Sequence, residues 1–195
     1  MTAFMKYDEE TGKKAGGSDA LSEGGAHICT ITSAVCSLAK TGTHSIEFEV
    51  TTDGGQKARY LNVYYMKADK SPIAGGQSML NALMGLVGVP QLSYAQANRE
   101  GKGINYIPEL EGKKVGLFLQ KRLYTKDNQS EGYSFEIKVP FNPVDRKTLR
   151  EALDNKPAQT IDRMANSYAD KDDRKPVQSG AAPIDDGYGE PPPGF

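Results

Sequence analysis

The chain has 195 residues, 24 of them basic and 25 acidic, for a net charge of −1, and it contains no Trp. That length suits one domain with flexible ends. No apolar run reaches the roughly 18 residues that cross a bilayer, and the first ten residues lack the apolar core of a secretory signal, so a cytoplasmic protein without membrane contact is expected.

Charge is unevenly spread: −2 over residues 1–25, +5 over 26–150 and −4 over 151–195. A basic middle followed by an acidic end suits an anionic ligand and a tail that competes for, or is displaced by, that ligand.

Residues 1–25 read as a flexible lead-in, Gly-rich from Thr11 onward. A long β-type stretch begins at Ala26 and ends near Lys40-Thr41-Gly42-Thr43, a turn by its Gly and hydroxyl content. Ile46, Phe48 and Val50 then alternate with Glu47, Glu49 and Thr51, the pattern of a half-buried strand. Asp53-Gly54-Gly55 signals a hairpin, and Arg59 to Met66 supplies the β-branched and aromatic residues of a third strand. The period changes at Met79, Leu80, Leu83, Met84, Leu86 and Val87, which predicts an amphipathic helix stopping at Gly88 and Pro90.

A polar loop is expected over 91–111. Two further strands follow, one carrying Val115, Leu117 and Leu119, the other Tyr133, Phe135, Ile137 and Val139. A short helix is expected around Asp145–Leu153, with polar linker from 154 onward. Three strands, a helix and two more strands is the layout of an OB-fold, a five-stranded barrel with its helix between strands 3 and 4. Residues 26–153 would form that domain.

Catalytic signals are weak. Neither His27 nor His44 sits in a nucleophile elbow or a metalloprotease helix, and no CxxC pair accompanies Cys29 and Cys36. Those cysteines stand seven apart in one predicted strand, an odd spacing that points them to opposite faces and argues against a disulfide between them. Gly101-Lys102-Gly103 lacks P-loop spacing. A non-catalytic protein without metal or cofactor is expected.

Binding signals are stronger. With Leu61 and Val63 claiming the core, Tyr60 and Tyr64 face outward on the third strand, beside Lys57 and Arg59. With Val115, Leu117 and Leu119 turned inward, Phe118 and Tyr124 face outward among Lys121 and Arg122. Rings that stack on bases and cations that track phosphates are what sequence-tolerant single-strand binding needs. The same rings also pack well on strands when a second layer covers them, so an OB-like protein-interaction module without nucleic-acid binding is the alternative.

Several segments resemble phage-encoded single-stranded DNA-binding proteins of the OB-fold family. They are Ala39-Lys40-Thr41-Gly42-Thr43, Arg59-Tyr60-Leu61-Asn62-Val63, Leu80 to Val89, Gly112 to Leu117 and Tyr133 to Ile137. The resemblance covers about residues 24–142. It implies binding and protection of single-stranded DNA during phage replication or recombination, in the host cytoplasm. Lys57, Arg59, Tyr60, Tyr64, Phe118, Lys121, Arg122 and Tyr124 are the candidate contacts, from the face assignment above.

The chain ends in an acidic, Pro-stiffened segment carrying Asp185, Asp186, Glu190 and the terminal Phe195, a composition expected to stay disordered. It is similar to the tails by which such proteins recruit replication and recombination partners, with Gly194 where those tails carry Pro. Removal of residues 183–195 is expected to maintain or raise DNA affinity. Oligomeric state is left open, a homo-oligomer included.

Overall fold

β1 (Gly25–Leu38), fourteen residues long, is the spine of the molecule. The computed structural model describes Lys6, Asp8 and residues 19–99 and 101–174. The first part of β1 pairs antiparallel with β6 (Lys114–Thr125), from Gly25 opposite Leu119 to Thr30 opposite Lys114. Its later part pairs with β2 (His44–Thr52), from Cys29 to Leu38. Between Ile31 and Ser33 the β2 register slips, leaving Thr32 as the extra residue of a bulge; a bulge bends a strand and sharpens its twist.

That bulge also corrects the expectation for the cysteines. The inserted residue brings both Cys29, in the core, and Cys36, packed against it, to the inner side. They remain unpaired, being roughly 20 Å apart along an extended strand. Burial, with a smaller contribution from the charge of Asp53, pushes the Cys29 thiol up to about 12, and burial raises Cys36 as well. Neither thiol is an effective nucleophile or ligand in that state.

β3 (Lys57–Met66) adds to β2, and the predicted helix, α1 (Ala74–Val87), follows it. Leu80 and Leu83 turn one face of α1 into the core, and the helix ends as expected at Gly88, in the left-handed region with φ 68°, whose N–H caps Met84. The expected loop over 91–111 instead contains a hairpin, β4 (Ala95–Arg99) and β5 (Lys102–Tyr106). It joins β1 through Val35 and Tyr106. Its short, mostly small and polar strands carry too few apolar residues to show a period.

β7 (Glu131–Phe141) returns along β6. The molecule is mainly β, with an open, curled, almost wholly antiparallel sheet rather than a closed five-stranded barrel. β3 and β7 approach each other with no ladder between them. The core between the sheet and α1 holds Ile31, Phe48, Val50, Leu61, Val115 and Leu117. It also takes Leu21 of the lead-in, whose N–H donates to the Lys57 carbonyl at 2.8 Å.

The stretch from 154 onward begins with packed structure rather than linker. α2 (Leu149–Leu153) opens on a capping box between Thr148 and Glu151, and α3 (Thr160–Asn166) follows. The Glu151 carboxylate is a buried hub, accepting from Thr148 N and Oγ1 and from the N–H groups of Gln159 and Thr160 at 2.8–3.0 Å. Burial by itself would raise its pKa; the backbone donors of Gln159, Thr148 and Thr160, with the Thr160 side chain, outweigh that and hold it at about 2. Seated in this way, α3 inserts Ile161 against Phe118 and Phe141, forming a second small core on the outer face of β6.

Beyond α3, Tyr168 stacks edge-on against Phe118 with ring centroids 5.9 Å apart and accepts from Lys121 N at 3.1 Å. A Cβ at Gly24 would collide with the Tyr168 hydroxyl, so the strap depends on glycine there. β8 (Lys171–Asp172) then adds parallel to β6 at Arg122 and Leu123, on the edge that β1 no longer occupies.

Candidate functional site

The unpaired seam between β3 and β7 opens into a cleft of about 680 Å³. Its β3 wall is shaped by a second bulge. Phe48 pairs with Leu61 and Val50 with Ala58, so Arg59 and Tyr60 together stand opposite the single residue Glu49. Glu49 therefore lies between two bulges, because its other neighbour is Ser33, next to Thr32. Paired bulges at one level are how a sheet turns a corner.

The β3 bulge places Tyr60 at φ 60°, a left-handed conformation that costs an L-residue about 1–2 kcal/mol. Its ring is 73% exposed, the most exposed aromatic on the strands. Such backbone survives only where its surroundings hold it, and Asn62 is the holder. The Asn62 amide donates to the Tyr60 carbonyl at 3.2 Å and to Glu47 Oε2 at 3.4 Å, while the buried Ser45 hydroxyl donates to Asn62 Oδ1 at 3.1 Å.

The opposite wall is the projecting end of the β6–β7 hairpin. Lys121 stands opposite Phe135, and Leu123 opposite Tyr133, so the face that is core at Leu119, Ile137 and Phe135 runs on past the core as Lys121 and Tyr133. Lys121 Nζ lies 5.0 Å from the centre of the Tyr133 ring, within cation–π range. Tyr133 meets Phe135 edge-on at 5.6 Å. Tyr124 completes this wall, and Leu21 and Ala58 contribute to the floor.

Two cations in the cleft wall have carboxylate partners. Lys57 Nζ is 3.9 Å from Asp19 Oδ2, and Arg59 Nε donates to Glu49 Oε1 at 3.1 Å. All four side chains are about a third or more exposed. Exposed pairs of this kind are worth about 0–1 kcal/mol each, so a phosphate can compete for either cation.

Of the eight expected contacts, the cleft gathers Lys57, Arg59, Tyr60 and Tyr124, with Lys121 against its Tyr133. Tyr64 faces outward as expected and is half exposed, yet it lies outside the cleft lining. Phe118 requires correction. It does point away from the main core, but it is only 2% exposed, because Ile161 and Tyr168 cover it. Arg122 is spent on the same strap, its guanidinium bound to Asp173.

Tyr133, Phe135, Asn62 and Glu49 are cleft or bulge residues missed by the strand reading. Tyr133 and Phe135 carried a signal, since the inward face of the last strand is one aromatic longer than the core needs. Asn62 and Glu49 are passed over when the strands are read as unbroken alternation, whereas the step from Ala58 to Leu61 spans two outward residues. Asp185, Asp186, Glu190 and Phe195 lie outside the described residues. Among the described residues, no cluster of metal-ligating side chains occurs and no helix is long and apolar enough to cross a membrane. No protein-family model matches the chain, and no curated protein matches it.

Proposed function

We propose that this protein binds single-stranded DNA without base specificity, in the cleft between β3 and β7, through an OB-like scaffold. The observation that carries this reading is the gathering of Tyr60, Tyr124 and Tyr133, all exposed, with Lys57, Arg59 and Lys121 about one open cleft. Unstacked bases offer a π-face to each ring, worth about 1–3 kcal/mol per base, and cations between the rings neutralise the phosphates. A duplex keeps its bases stacked inside and has nothing to give the tyrosines. The resemblance to phage single-strand binding proteins points the same way, toward protection of DNA in replication or recombination, with the acidic end of the chain as the recruiter of partner proteins.

The test is a fluorescence-anisotropy titration of labelled oligo-dT against duplex at two salt concentrations. Binding should favour the single strand and weaken with salt. With at most three cations on phosphates, the slope of log K against log salt should be no steeper than about −2. Absence of binding at low salt would eliminate the reading in favour of a protein-interaction module.

A further inference from the structure

Arg59 is held by a carboxylate at the point where a bound strand would bring a phosphate. Glu49 stays close at hand, because its backbone is fixed on both sides: it pairs with Ser33 of β1, its carbonyl accepts from Thr32 Oγ1 at 3.0 Å, and on the β3 side it faces the bulge. Arg59 can swing on a long side chain that is more than half exposed. Since Arg59 and Tyr60 are adjacent and both outward, a ligand ring seated on Tyr60 places its neighbouring phosphate near the guanidinium.

We propose that Glu49 is a built-in stand-in for phosphate: single-stranded DNA binds by exchanging the Glu49 carboxylate on Arg59 for a phosphate of the ligand. This rests on the reading of the cleft given above, and it names the residue that tunes that site. Exchange leaves the carboxylate beside a polyanion, where it must recruit a cation from solution. Cation uptake offsets part of the counterion release that drives binding. Glu49 thereby lowers affinity and flattens its salt dependence, which favours ready release of the strand.

The experiment is a salt series of anisotropy titrations with labelled oligo-dT on the full chain, comparing wild type, Glu49→Gln, Arg59→Gln and the double variant. Glu49→Gln should bind about twofold to fivefold more tightly at low salt, the range expected for freeing one cation from a surface pair. Its log–log salt slope should steepen by up to about 0.7, one more net phosphate neutralised on a single strand. In the Arg59→Gln background the same change at Glu49 should alter affinity less than about twofold, since the coupling runs through one pair. Glu49→Thr, a good strand former, should move affinity in the same direction, which guards against a folding effect peculiar to Gln. If wild type binds but Glu49→Gln does not tighten, or tightens equally without Arg59, the exchange is overturned while the cleft stands. If wild type fails to bind at low salt, both fall together.

Discussion

The two faces of the β6–β7 hairpin carry the same kinds of residue and meet opposite fates. One face runs from Leu119, Ile137 and Phe135 out to Lys121 and Tyr133 and lines an open cleft. The other carries Phe118 and Arg122, and the strap of α3, Tyr168 and β8 lies over it. An aromatic beside a cation thus lines an open cleft on one side and is a packing element on the other. What separates them is whether the chain returns to cover the face.

The largest break in that comparison comes from the covered ring. Phe118→Ala empties a site sealed by Phe141, Ile161 and Tyr168 and should cost about 3–5 kcal/mol of stability, read by urea denaturation. Protein still folded at low temperature should bind oligo-dT as wild type does. Loss of binding by folded protein would place Phe118 in the interface after all. The matching change on the open face, Tyr60→Ala with Tyr133→Ala, should reverse the pattern. Two stacking rings at about 1–3 kcal/mol each predict at least a tenfold loss of single-strand affinity with an unfolding midpoint near wild type.

The strap can also be loosened through its anchor. The Glu151 carboxyl sits at about 2 against an ordinary value of 4.5. Because the folded-state pKa is depressed, its contribution is fully present above pH 4.5 and is lost as the pH falls toward 2. That difference corresponds to about 3 kcal/mol at neutral pH. Glu151→Gln should therefore be destabilised at pH 7 and should show a correspondingly smaller loss of stability between pH 4.5 and 2, measured by denaturant titration at each pH. An unchanged pH dependence would mean that the hub is not held as a carboxylate. The smallest effect belongs to Arg122→Gln. Its pair with Asp173 is exposed, so stability should fall by less than about 1 kcal/mol and affinity for oligo-dT should hold. A clear loss of affinity would show that the strap lifts when DNA binds.

Much of this was legible in the residues. The alternation of Ile46, Phe48 and Val50, the i, i+3, i+4 spacing from Met79 to Val87 and the Gly88 stop are local signals, and local geometry answers them. Tyr60 was readable as outward for the same reason. Two kinds of feature were not readable. The β4–β5 hairpin is built from Ala, Gln and Asn with little apolar contrast, so its pairing shows only once β1 offers an edge. The strap depends on Ile161 and Tyr168, single apolar residues in a polar stretch, finding Phe118 more than forty positions away.

The sequence by itself determined which rings and cations are able to face solvent, those of the third strand and the final hairpin, because strand periodicity is a property of neighbours two apart. Tertiary structure alone decided which of them are free to do so. Bulges opposite and beside Glu49 turn Arg59 and Tyr60 outward together, the unpaired seam between β3 and β7 leaves room between the walls, and the strap buries Phe118 and pairs Arg122 with Asp173. Burial of apolar area is non-local, and a pattern along the chain cannot say which exposed face a distant segment will cover.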